Sequence, residues 1–129
     1  FQRQLIDFIR IAPIHVGGIT EARKICVLAE AYAVRSAFHG AMDIGPIGQA
    51  AAVHLDKAIP NFGIQEWIGF PDQVREVITG GCRVENGYTN PPEAPGLGVD
   101  INEEAARKYP YRRAYMPTVR RVDGTMHVY

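Results

Sequence analysis

The sequence predicts an α/β fold, namely the C-terminal part of a (β/α)8 barrel, and three observations carry that expectation. Three short apolar runs, residues 5–11, 34–38 and 62–67, alternate with two stretches of helical periodicity. The links between them are short, so the strands run parallel with helical crossovers. Three parallel strands alone leave two open edges, and a closed barrel of eight strands removes them but takes roughly 250 residues. The chain has 129 residues. Residues 1–69 are therefore expected to be the last three βα units of such a barrel, and residues 70–129 a C-terminal extension. The start without Met, just before an apolar strand, fits a piece of a longer protein.

The elements follow in order. LIDFIRI, residues 5–11, has the nearly continuous apolar character of a buried parallel strand, broken by Asp7 and Arg10. His15-Val16-Gly17-Gly18 makes a turn. Thr20 is the expected helix cap, with Glu21 at the positive end of the helix. Ala22, Ile25, Cys26 and Ala29 then recur at i, i+3, i+4 and i+7 up to about Tyr32. Residues 34–38 form the second strand, ending at His39. Pro46 suits the first turn of the next helix, whose inner face is Ile47, Ala50, Ala51, His54, Leu55 and Ala58, and Pro60 stops it. The third strand is 62–67. Beyond Gly69 the chain turns rich in Gly and Pro. There the expectations are a short helix or strand at 74–78, a short helix at 101–107 capped by Asn102, and a hairpin turn at Asp123-Gly124.

Composition excludes several classes. Fourteen basic and fourteen acidic side chains cancel, so no basic footprint for nucleic acid or an anionic membrane exists. No apolar run approaches the roughly 18 residues of a membrane span. Cys26 sits on the apolar side of a helix and Cys82 follows Gly80-Gly81. Two such cysteines make no disulfide framework and call for no oxidising compartment, and a cytoplasmic location is expected.

Groups leaving the C-terminal ends of neighbouring parallel strands converge on one ligand site. Arg10, His39 and Glu66 end three consecutive strands and offer a cation, an imidazole and a carboxylate. Asp43, four residues after His39, either joins them or caps the helix beginning near Pro46. A carboxylate at Glu66, beside Trp67, must be solvated, paired or functional, because burying it unpaired is costly. The set suits a small polyhydroxylated acid, with Arg10 for its carboxylate and His39 and the acidic groups for its hydroxyls. No close Cys/His spacing suggests a zinc site. His15 reads as structural, His54 as a satisfied core histidine. Gly17-Gly18 fits either an anion at a helix N-terminus or tight packing in a βα turn.

The segments LIDFIR (5–10), HVGGIT (15–20), HGAMDIGPIG (39–48), AIPNFGIQEW (58–67), EAPGLGVDI (93–101) and DGTMHVY (123–129) together resemble the enolase superfamily in its mandelate racemase and muconate lactonizing branch. The likeness is greatest to D-mannonate dehydratase and the related sugar-acid dehydratases, including members named starvation-sensing protein. The resemblance implies that the strands are the sixth, seventh and eighth of the barrel and that the tail returns to an α+β capping domain. It implies β-elimination of water from an aldonic acid, D-mannonate or D-gluconate, to a 2-keto-3-deoxy acid. By it, Arg10, His39, Asp43 and Glu66 contact substrate, His39 is a possible acid or base, and Tyr129 stands where relatives end in an aromatic residue. Mg2+ is implied as cofactor, with ligands and main base on earlier strands and none in this chain. The implied partners are the substrate, the remainder of the barrel and capping domain, and further copies in a homo-oligomer. Ala12 occupies the place of the Asp that racemases pair with the seventh-strand His, which weakens a racemase reading. A galactonate dehydratase and a non-catalytic sugar-acid-binding or regulatory member remain the alternatives.

Overall fold

The computed structural model describes residues 1–113 and 120–125. Its first half is a parallel sheet of β1 (Phe8–Ile9), β2 (Arg35–Phe38) and β3 (Phe62–Gln65), in the order β1-β2-β3. Two helices make the crossovers, α1 (Ile19–Glu30) and α2 (Gly45–Ala58). Phe8 pairs with Arg35 and Ile9 with Ser36; Ser36 pairs with Phe62 and Ala37 with Ile64, with a shift in register between Ser36 and Ala37.

The first strand is shorter than the apolar run 5–11. Leu5 and Ile6 are exposed, and β2 meets only the middle of the run. Single backbone bonds extend the pairing on either side, Arg35 N–H donating to Asp7 O (3.0 Å) and His39 N–H to Ile11 O (2.8 Å). The first helix starts at Ile19, with Gly18 as cap residue and no side-chain cap bond, so Thr20 lies inside the first turn. Gly17 and Gly18 have φ of 100° and 103°, a region that L side chains rarely adopt, and the sharp entry they make sets the start of α1 two residues earlier than Thr20 would.

One core joins these layers. Ile9, Phe38, Ala22, Cys26, Ala29, Ala52, Leu55 and Ile59 bury against one another, with Ile25 partly buried beside them. The expected inner face of α1 is thus the real one. The second helix is buried on more sides than expected, from Gly48 through Asp56, while Ile47 and Ala58 are exposed. Asn61 fastens the layers, its amide donating to Cys26 O (3.0 Å) and Val34 O (2.9 Å). His54 is half-buried, its Nε2 lying 3.3 Å from Leu97 O, a satisfied histidine as read from sequence.

The second half is built from short pieces. The segment 74–78 resolves into α3 (Asp72–Val77) running into β4 (Ile78–Gly80). The latter pairs antiparallel with β7 (Val99–Ile101), and β5 (Val84–Glu85) with β6 (Tyr88–Thr89) around Asn86-Gly87, both at positive φ. A short α4 (Glu103–Ala106) is capped by Asn102, whose side chain accepts from Ala105 N–H (3.1 Å). The Asp123-Gly124 turn is closed by Arg121 N–H donating to Thr125 O (2.8 Å). Among the described residues no helix is long and apolar enough to cross a membrane.

Asp56 is the anomaly of this core. It is 8% exposed, and neither carboxyl oxygen has a hydrogen-bond partner among the described residues. Burial pushes its carboxyl from 3.8 up to about 7, and burial together with the nearby Asp56 charge pushes the Cys26 thiol up to about 11. Between 3.8 and about 7 the Asp56 of the unfolded chain has released a proton that the folded chain keeps, so stability falls as pH rises through that range. The loss is on the order of 4 kcal/mol. Urea unfolding at pH 5 and pH 8 checks this: Asp56→Asn is expected to flatten the dependence and to be the more stable protein at pH 8.

Candidate active site

The site forms where the strands end. His39 follows Phe38 and is held to the first strand by its N–H bond to Ile11 O. Glu66 follows Gln65 and is held to the second by its N–H bond to Phe38 O (3.2 Å). Ile68 N–H donating to Gly40 O (3.1 Å) carries the pairing further. Parallel pairing thus delivers both side chains to the same end of the sheet, where Arg10 leaves the first strand.

The carboxylate of Glu66 is the hub. Arg10 Nη2 donates to Oε1 (2.8 Å) and Oε2 (2.7 Å), Gly40 N–H to Oε2 (3.0 Å), and His39 Nδ1 lies 2.9 Å from Oε2. The Arg10 hydrogen bonds, then the Gly40 amide, with His39 adding to them, hold the Glu66 carboxyl down to about 2, so it is an anion at any working pH. Gly40 is required by distance: a Cβ there would fall 1.6 Å from Glu66 O.

On the other side of the ring, His39 Nε2 lies 3.0 Å from Asp43 Oδ1. Carboxylates only accept, so both contacts are hydrogen bonds at once when the ring carries both protons. Asp43 sits in the single 3-10 turn Met42–Ile44 that leads into α2. Neither that turn nor α2 has a side-chain cap bond, so the capping alternative for Asp43 fails and its carboxylate belongs to the histidines. His15, read from the sequence as structural, stands beside the site. Its Nε2 lies 3.3 Å from Asp43 Oδ2, and its ring centroid 6.0 Å from that of His39. The only signal was its place in the loop after a strand end. Tyr129 lies outside the described residues.

The four strand-end residues read from sequence therefore meet, with Arg10 ion-paired to Glu66. His39 is the least exposed of the set, its side chain 19% accessible against 40% or more for Arg10, Asp43 and Glu66. The donor set does not suit a divalent cation. A guanidinium occupies both oxygens of Glu66, and among the described residues no group of three or more His, Cys, Asp or Glu could hold a metal ion. What the arrangement can do is hold a row of hydroxyls and deliver or take a proton at His39. Arg10→Met is expected to raise the Glu66 carboxyl from about 2 toward its ordinary 4.5, as read by a carboxyl 13C NMR titration. In the wild type the stability that Glu66 contributes is present above the unfolded value and is lost only as pH falls toward about 2.

The family model described as enolase C-terminal domain-like matches residues 1–105. D-mannonate dehydratase of Caulobacter sp. (strain K31) is 46% identical over 126 residues, covering 98% of this chain and 31% of the relative. A D-galactonate dehydratase family member of Pseudarthrobacter chlorophenolicus is 45% identical over 126 residues, again 98% and 31%. The chain thus spans about a third of the length of these curated relatives. The crystal structure of an enolase from Pantoea ananatis with bound D-gluconate and Mg superposes with a TM-score of 0.81 at 46% identity, over 88% of this chain and 27% of that one. A mandelate racemase/muconate lactonizing enzyme from Jannaschia sp. gives 0.75 at 37%, over 84% and 28%. The three parallel βα units are part of the barrel of such proteins, and the chain belongs to the enolase C-terminal domain-like family.

Proposed function

We propose that this chain is the substrate-holding wall of a sugar-acid dehydratase, which removes water from an aldonic acid such as D-mannonate or D-gluconate and yields a 2-keto-3-deoxy acid. The observation that carries the reading is the imidazole of His39 set between two carboxylates, 2.9 Å from Glu66 and 3.0 Å from Asp43. With an acceptor at each ring nitrogen the imidazole is held in one orientation at the strand end, as a general acid for a leaving hydroxyl requires. The likeness to proteins named D-mannonate dehydratase and to the gluconate-bound enolase supports the substrate class.

In this reading His39 gives a proton to the 3-hydroxyl as the C3–O bond breaks, and the oxygen leaves as water. Glu66 and Asp43 accept hydrogen bonds from substrate hydroxyls and stabilise the imidazolium before the transfer. Arg10 keeps Glu66 an anion and offers its remaining N–H groups to the acid's carboxylate. The group that takes the proton α to that carboxylate, and any Mg2+ such chemistry uses, belong to residues other than the described ones. Residues 1–69 are then the last βα units of the barrel. Residues 70–129 are then an extension toward the barrel and a capping domain, in a homo-oligomer.

The test is turnover by the full-length protein of a panel of aldonic acids, D-mannonate, D-gluconate and D-galactonate, with Mg2+ present. Dehydration of one of them is expected, with His39→Asn lowering kcat roughly 10²- to 10⁴-fold. Binding of an aldonate without turnover would favour a non-catalytic sugar-acid-binding protein, and wild-type kinetics in His39→Asn would remove the acid role.

A further inference from the structure

We propose that His15 is a positioning residue of this site, acting through Asp43 on the ring of His39. Its kinetic consequence rests on the dehydratase reading, while its structural consequence stands on geometry alone. Asp43 divides its two oxygens between two histidines, Oδ1 facing His39 Nε2 at 3.0 Å and Oδ2 facing His15 Nε2 at 3.3 Å. The Asp43 side chain is 52% accessible and sits in a single 3-10 turn flanked by Gly45 at φ 62°. A carboxylate so placed, with one hydrogen bond, is free to rotate and to exchange that bond for water. A second donor on the other oxygen fixes the carboxylate plane and keeps Oδ1 on His39.

His15 is placed to be that donor. The loop after β1 holds it by its N–H bond to Ala12 O (3.0 Å), on a different strand end from Asp43. Its Nε2 carries a proton both in the cation and in one neutral tautomer, so it donates to Asp43 in either state. The groups around it are Asp43 and, at 6.0 Å between rings, His39, which Glu66 and then Arg10 back on the far side. Two imidazoles this close repel when both are charged, and the Asp43 carboxylate lies against both. His15 is exposed and outside the core, so its ring is not needed to fill space.

The row Arg10, Glu66, His39, Asp43, His15 therefore alternates nitrogen side chains with carboxylates. With the far oxygen of Asp43 held, the His39 ring is fixed with Nδ1 toward Glu66 and the hydroxyl-binding side. Without it, the ring is anchored at one nitrogen only. The loss expected from one such hydrogen bond is about tenfold in kcat, with a smaller change in KM, because the ring acts in the proton transfer.

The test is a double-mutant cycle in the full-length protein with the aldonate that it turns over. His15→Ala is expected to lower kcat about tenfold, and His15→Gln, whose amide can donate from a similar place, to recover most of it. In an Asp43→Ala background, His15→Ala is expected to add nothing, because the route runs through Asp43. Side-chain 15N NMR of His39 follows the same four proteins, with His15→Ala moving its ring signals only while Asp43 is present. Independent, additive losses in both readouts would overturn the positioning role and leave the dehydratase reading standing, as would unchanged kinetics and spectra in His15→Ala. Coupled His39 signals in a protein that dehydrates no aldonate would uphold the positioning role and overturn the dehydratase reading.

Discussion

One carboxylate ties the ends of three strands together. Glu66 leaves the third strand, and it accepts from Arg10 at the end of the first and from His39 and Gly40 at the end of the second. These bonds run from strand to strand and add to the backbone pairing of Glu66 and Ile68 there. The close approach they need is possible because residue 40 has no Cβ; any side chain there would collide with the Glu66 backbone. Each contact is modest for an exposed pair. Their convergence on one anion, held ionised down to about 2, fixes the orientation of His39, and that orientation is what the proposed proton transfer requires.

The polar end and the apolar core divide the labour within the same strands. Phe38 is fully buried between the two helices while its neighbour His39 opens onto the site. A single residue separates packing from chemistry, so the core that seats Phe38 also sets the height of His39 above the sheet. The bonds from His39 and Glu66 main chains to the neighbouring strand act in the same direction. Asp56 shows the opposite case, a carboxyl buried without a partner, which weakens the fold at neutral pH and is not part of the site.

Much of this was legible in the sequence, for physical reasons that differ by element. Apolar spacing placed both helices and the order of the three strands, because burial of one face leaves a periodic trace. The strand ends followed from a switch between apolar and ionisable residues, which singled out Arg10, His39 and Glu66 before any geometry. Local chemistry was less reliable. Thr20 has the right type for a cap, but the two glycines before it turn the chain earlier and give the cap position to Gly18. Asp43 carried two readings that only distance could separate. His15 carried only its place in the loop after a strand end and was read as structural, since its partner lies 28 residues away in another loop. Asp56 was hidden because periodicity does not show that α2 is covered on more than one side.

On the proposed reading these strand ends hold a sugar acid and leave a metal to other residues. A crystal structure of the full-length protein with D-gluconate or D-mannonate and Mg2+ tests it most directly. The expected result is a sugar hydroxyl within about 3.2 Å of His39 or Glu66, the Arg10–Glu66 pair retained, and no metal bond to His39, Asp43 or Glu66. A metal ion ligated by Glu66 or Asp43, or a sugar acid bound away from these strand ends, would contradict it.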